Sequence, residues 1–208
     1  ASAIAMDKVM TKRVWIAEGL TTPRYVRLSA SELSPARVAK VPDEIGLPLI
    51  VKPPREGSSI GITKVKTPDV LEAGLAAAFA HDTKALVEQG VTARELECGV
   101  LGNDAPEASV VGEVVPGHEF YDFEAKYLDA DSTRLSCPAV LPADVVQRVR
   151  ELAARTFEVM GCEGLARVDF FVQADGSVLV NELNTMPGFT ATSMYPMLWA
   201  ATGLPYPD

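Results

Sequence analysis

The stretch RVDFFVQADGSVLVNELN, residues 167–184, restricts the fold more than any other part of the 208-residue chain. Two runs rich in β-branched and aromatic residues flank Asp175-Gly176, a dipeptide that favours a two-residue hairpin loop. With that loop, Asp169 sits opposite Glu182 and Arg167 opposite Asn184. Side chains alternate along a strand, so all four share one face, and Val168, Phe170, Val172, Leu179 and Leu183 take the other. Two carboxylates about 5 Å apart at an effective dielectric of about 20 repel by roughly 3 kcal/mol, so something must offset them. A shared proton, Arg167 or a divalent cation would do so. Magnesium takes one or two protein carboxylates and completes its shell with substrate phosphates. Asn184 adds a neutral oxygen, and a guanidinium beside a metal suits phosphate or an oxyanion. Without a cation, this face is expected to be the strained part of the sheet.

The rest of the chain reads as alternating short elements. MDKVMTKRVWIAEGL has helical periodicity up to Gly19 and puts Lys8 and Lys12 on one face. TTPRYVRL, LPLIVK and ITKVK read as strands, SPARVAKVPDEIG as a broken helix and PDVLEAGLAAAFAHD as a helix started by Pro68. KALVEQG, RELECGVLG and ASVVGEVVP follow as strands, and GHEFYDFEAKYLDADSTRL as a long loop. A helix over residues 143–160, with Val145, Val149, Leu152 and Thr156 on one stripe, precedes the hairpin and covers its sheet. The turn-rich GNDAPE suggests a subdomain boundary near residues 100–107.

Three further stretches carry chemistry. In LPLIVKPPREGSSIGI, Lys52 ends a strand and a loop with Gly57, Ser58, Ser59 and Gly61 offers backbone N–H groups to an anion. It lacks the lysine after the glycines that a Walker A loop needs. FYDFEAKY, residues 120–127, mixes aromatics and charges inside a long loop, which suits an ordered lid. NTMPGFTATSMYP reads as a loop in which Gly188 exposes a backbone N–H ahead of several hydroxyls. A net charge of −9 and a pI near 4.8 argue against a nucleic-acid surface. Three widely spaced cysteines fit no disulfide framework or zinc pattern and point to a reducing cytosol. No apolar run is long enough to span a membrane.

Together, VKPPREGSSIGI, EAKY, ARVDFF and NELNTMPGFTATSMYP resemble the D-alanine–D-alanine ligase family of the ATP-grasp superfamily, in the family's motif order and along essentially the whole chain. The resemblance implies an α+β ATP-grasp fold, two α+β subdomains with antiparallel sheets holding ATP between them. Residues 13–103 would form the small subdomain, and residues 1–12 and 104–208 the C-terminal one. The family's N-terminal domain, with a glutamate that helps hold the first D-alanine, and its closing helix beyond Tyr206 are not in this stretch.

By the same resemblance, Asp169, Glu182 and Asn184 are magnesium ligands, for two ions that manganese can replace. Lys12 and Lys52 bind phosphate, Ser58 lies in the loop that closes over it, and Glu88, Gln89, Val91 and Glu95 hold the adenosine. Gln89 stands where some members have lysine. Arg167 and the Gly188 N–H stabilise an oxyanion, and Lys126 and Ser193 hold the second substrate's carboxylate. Tyr127 is a lid residue that, as tyrosine, goes with D-alanine rather than D-lactate. The implied reaction is ATP-dependent joining of two D-alanine molecules for peptidoglycan synthesis, in the cytoplasm, by a protein that is a homodimer at full length. Two other readings are a different ATP-grasp carboxylate–amine ligase and an inactive ATP- and Mg²⁺-binding fragment.

Overall fold

The computed structural model describes residues 1–116 and 133–206. α1 (Ser2–Ala5) leads into α2 (Lys8–Ala17), which starts at Asp7, whose carboxylate accepts from the N–H groups of Val9 and Met10 at 3.0 and 3.2 Å and so satisfies orphan donors of the first turn. β1 (Tyr25–Ser29), α3 (Pro35–Ile45), β2 (Leu49–Lys52), β3 (Thr63–Val65), α4 (Leu71–Phe79) and β4 (Lys84–Gln89) follow. The four strands form an antiparallel sheet in the order β1-β4-β2-β3, and Leu49, Val51, Val65 and Val87 meet Val41 of α3 and Leu75 of α4 in its core. α3 is continuous, not broken: Pro42 lies inside it. Proline costs a helix about 3 kcal/mol, but burying Val38, Val41 and Ile45 on one stripe returns about 1.5–3 kcal/mol for each.

The second sheet holds β5 (Arg94–Gly102), β6 (Glu107–Pro116), β7 (Thr133–Ser136), β8 (Gly164–Val172) and β9 (Val178–Asn184), antiparallel in the order β7-β6-β5-β8-β9. One face is covered by α5 (Ala143–Val159) through Val145, Val149, Ala153 and Phe157, with Trp15 of α2 joining the same core. β5 therefore belongs to the second sheet although it lies within the span 13–103, and the sheets divide at residues 90–93. GNDAPE is the hairpin turn between β5 and β6. A reversal inside one sheet uses the same Gly, Asn, Asp and Pro residues as a linker, so composition alone does not separate them. β7 begins inside the stretch read as a long loop, and FYDFEAKY lies outside the described residues.

The β8–β9 hairpin reaches the expected facing pairs by a different route. Its loop has three residues, 174–176, with Gly176 at φ +81° and its N–H bonded to the Gln173 carbonyl at 3.0 Å, the left-handed conformation such a loop requires. The pairing next to the loop is thus one residue out: Phe171 faces Leu179 and Val172 faces Val178. A β-bulge at Asn181 restores the register, so Asp169 faces Glu182 and Arg167 faces Asn184. Leu179 consequently shares the Arg167 face, and Val178 and Val180 take the core positions.

A final helix, α6 (Met194–Thr202), forms in and beyond a stretch read as loop. Its periodicity is weak because almost every position is apolar, and it packs on the face of the second sheet opposite α5. Met194 and Leu198 join Val114 in a small cluster, and the Tyr195 hydroxyl donates to the Val100 carbonyl at 2.9 Å. Glycines at 99 and 112 permit this approach. A Cβ at Gly99 would lie 2.8 Å from Trp199 Nε1 and 3.1 Å from Tyr195 Cε2, whereas one at Gly112 meets the flexible Met194 Sδ at 2.8 Å. Gly99→Ala is expected to cost about 1–3 kcal/mol, the usual penalty for overpacking, and Gly112→Ala less, read as a shift in urea midpoint. α6 covers the β5 and β6 half of this face. No helix among the described residues is long and apolar enough to cross a membrane.

Candidate active site

A cleft of about 340 Å³ opens over the uncovered half, between the two sheets. Its walls are the end of β2 with Lys52, the loop carrying Ser58 and Ser59, and residues 88–92 after β4; its floor is Glu95, Phe171, Asn181 and Glu182. Lys8 stands at one side. Ser58, Lys52, Glu88, Gln89, Val91, Glu95 and Glu182, all named from the sequence, are thus gathered around one cavity.

Behind the wall lies a buried ion cluster. Glu88 is only 3% exposed and forms ion pairs with Lys12 through Oε1 at 2.5 Å and with Lys52 through Oε2. Burial pushes the Glu88 carboxyl up, but the two ammonium groups outweigh it and hold it at about 2. Lys12, expected at a phosphate, is instead buried behind Glu88, where it also donates to Thr22 Oγ1 at 2.5 Å and lies 5.8 Å from the centre of the Tyr25 ring.

Beside the floor, on the same face of the sheet but outside the cleft lining, Arg167 forks onto Asp169 at 2.7 and 2.8 Å and reaches Glu97 at 3.1 Å. Burial disfavours the Arg167 charge, yet the surrounding carboxylates raise its proton affinity above the ordinary guanidinium range. Asn184 donates to Asp169 Oδ2 at 3.0 Å. Lys8 lies 3.0 Å from Glu182 and donates to the Glu56 carbonyl at 2.8 Å, tying the glycine-rich loop to β9. Burial raises the Glu182 carboxyl, but Lys8, Lys52 and Arg167 bring it below the usual range. The carboxylate repulsion is therefore met by protein cations, and the strain expected of a metal-free sheet is largely relieved.

Glu182 and Asp169 each already hold a positive charge, and Asn184, donating through Nδ2, keeps Oδ1 as an acceptor. Two carboxylates and an amide oxygen on one face fit a hard divalent cation. No group of three His, Cys, Asp or Glu suited to a metal occurs among the described residues, as expected of a set whose third donor is asparagine. Ser58 and Ser59 sit at φ 49° and 63°, followed by Gly61 at 68°. Successive left-handed residues turn their N–H groups into a concavity for anions, and each non-glycine residue held so costs of order 1–3 kcal/mol.

Gly188 and Ser193 lie beyond β9, outside the cleft lining, and sit together: a Cβ at Gly188 would be 3.1 Å from Ser193 Oγ, which accepts from the Thr190 N–H at 3.1 Å. Lys126 and Tyr127 lie outside the described residues. Sequence reasoning missed Lys8, Phe171 and Asn181 as cleft residues. Lys8 was visible as the helical neighbour of Lys12, whereas Asn181 carried no signal, because strict alternation assigns it to the core.

Two antiparallel α+β units around a cation-lined cleft define an ATP-grasp protein, and solved structures agree. The chain superposes on the D-alanine–D-alanine ligase of Coxiella burnetii with a TM-score of 0.87 at 36% identity, covering 99% of this chain and 54% of that one. On the VanG D-Ala:D-Ser ligase of Enterococcus faecalis the TM-score is 0.89 at 35% identity, covering 99% and 59%. A family profile described as the D-ala D-ala ligase C-terminus matches residues 14–208. The D-alanine–D-alanine ligase of Arthrobacter sp. (strain FB24) is 50% identical over 216 residues, covering all of this chain and 56% of that protein. Ligase A of Chromobacterium violaceum is 47% identical, covering 99% and 56%. The chain belongs to the D-alanine–D-alanine ligase family. It spans about half the length of the curated relatives it matches, 56% for both of those named.

Proposed function

We propose that this chain is the nucleotide-binding and catalytic portion of an ATP-dependent D-alanine–D-alanine ligase that supplies the dipeptide for peptidoglycan synthesis in the cytoplasm, acting as a homodimer at full length. The observation that carries this reading is the convergence of Lys8, Lys52 and the left-handed Ser58-Ser59 turn on the same cleft as Glu182, next to the Asp169–Arg167 pair. Cations and oriented N–H groups over paired carboxylates suit a polyphosphate held through metal ions.

In this reading Lys8 and Lys52 neutralise phosphate oxygens, and the loop bearing Ser58 closes over them. Lys12 acts indirectly by keeping Glu88 ionised. Gln89, Val91 and Glu95 hold the adenosine, and Glu88, expected there with them, is instead taken up by Lys12 and Lys52. Asp169, Glu182 and Asn184 would hold two magnesium ions, which would supply positive charge to the transferring phosphoryl group. The carboxylate of the first D-alanine attacks the γ-phosphorus, giving an acyl phosphate and ADP. The amine of the second attacks the acyl carbon, phosphate leaves, and Arg167 with the Gly188 N–H stabilises the intervening oxyanion. Lys126 and Ser193 hold the second substrate's carboxylate, and Tyr127 belongs to the lid that keeps water from the acyl phosphate.

Calorimetric titration of ATP with and without Mg²⁺ tests the first half of this reading: binding is expected only to strengthen with the metal, and no binding in either case overturns it. ADP release with D-alanine, D-serine and D-lactate as second substrate, in a protein extended to the relatives' full length, tests the second. A strong preference for D-serine or D-lactate would replace D-alanine in the assignment. VanG, among the solved relatives, is described as a D-Ala:D-Ser ligase.

A further inference from the structure

The bulge in β9 does more than restore register. Across the open face from β5 to β9 the side chains run in rows: Glu95, Phe171 and Leu179, then Glu97, Asp169 and Glu182, then Gly99, Arg167 and Asn184. The first row offers an aromatic ring in the cleft and the second is charged. Val180 and Leu183 point into the core, so the two residues between them, Asn181 and Glu182, both face the cleft. Asn181 is thereby inserted between the two rows. Its side-chain amide makes no hydrogen bond to any other described residue, although the side chain is half-buried.

A partly buried amide with one strong acceptor and two donors is a costly group to leave idle. We infer that Asn181 hydrogen-bonds a ribose hydroxyl of the bound nucleotide and is a determinant of ribonucleotide preference. The inference rests on the ATP reading above. A base lying over Phe171 and phosphates gathered by Lys8 and Lys52 leave the sugar between the two rows, where the bulge places the amide. Without the bulge, alternation would turn position 181 into the core and the contact would not exist.

Titration of ATP, 2′-deoxy-ATP and 3′-deoxy-ATP with Mg²⁺ into the chain and its Asn181→Leu variant separates the possibilities. The unaltered chain is expected to bind ATP more tightly than at least one deoxy analogue. Asn181→Leu should lose about tenfold in ATP affinity, the scale of one hydrogen bond, and lose no more towards the analogue lacking the contacted hydroxyl. Unchanged ATP affinity in Asn181→Leu, or equal losses towards all three nucleotides, would overturn the assignment while leaving ATP binding intact. Failure of the unaltered chain to bind ATP would overturn the underlying reading and this one with it. Asn181→Ala, which adds no bulk, guards against misfolding, and equal affinity of the unaltered chain for all three nucleotides counts against the inference without any substitution.

Discussion

Replacing Glu88 by glutamine is expected to destabilise the protein by about 3–5 kcal/mol, because it leaves two lysines with a neutral partner in a buried site. Lys12 is only 1% exposed and has no route to water for its ammonium. The acid side of the stability curve gives a second readout. Glu88 has a depressed pKa in the folded state, about 2 against an ordinary 4.5. Its contribution is therefore fully present above about pH 4.5 and is lost as the pH falls towards 2, a change on the order of 3 kcal/mol. Urea denaturation at several pH values should show a shallower acid slope for Glu88→Gln. An unchanged slope would mean that the cluster does not hold Glu88 ionised.

Arg167→Ala is expected to lower turnover by at least the 10² to 10³ typical of losing one oxyanion donor, measured as D-alanine-dependent ADP release in a protein of the relatives' full length. ATP affinity should change far less, because Lys8 and Lys52 line the cleft from other elements. The same substitution removes the cation between facing carboxylates, since Glu97 and Asp169 are cross-strand partners. Stability should fall as well, and the assay belongs well below the variant's melting temperature. Arg167→Lys is not expected to rescue turnover, because an ammonium cannot reproduce the fork on Asp169. Near-normal turnover in Arg167→Ala would remove Arg167 from the chemistry.

The two experiments probe different layers. Glu88 with its lysines is the buried support of the phosphate side, and Arg167 is the hub of the carboxylates beside the floor. A loss of ATP binding in Glu88→Gln with intact secondary structure would tie the support to the nucleotide directly. An Arg167→Ala protein that binds ATP but does not turn over would confine Arg167 to the later step.

Much of the site was legible because its residues sit on strands with a simple period. Asp169, Glu182, Arg167 and Asn184 could be placed on one face from alternation and an assumed two-residue loop, and the facing pairs are those observed. They are right through two compensating departures, a longer loop and a bulge, neither of which leaves a period-2 trace. Lys52 and the glycine-rich loop were legible from residue chemistry. The resemblance pointed to Lys12 as a phosphate ligand, and helical spacing, which puts it and Lys8 on one face, does not say which of the two reaches the cleft. α6 was missed because an almost uniformly apolar helix has no contrast between faces.

By itself, then, the sequence determined the antiparallel strands, the helices on the core face of each sheet, the paired carboxylates with their arginine, and the family. Those depend on local periodicity and on residue types whose chemistry is fixed. The tertiary structure decided which lysine faces the cleft, where one sheet ends and the next begins, and that Asn181 turns out of the core. Each of these depends on contacts between residues far apart in the chain, such as Lys8 with Glu182 and Lys12 with Glu88, and no local pattern encodes a partner that only folding brings near.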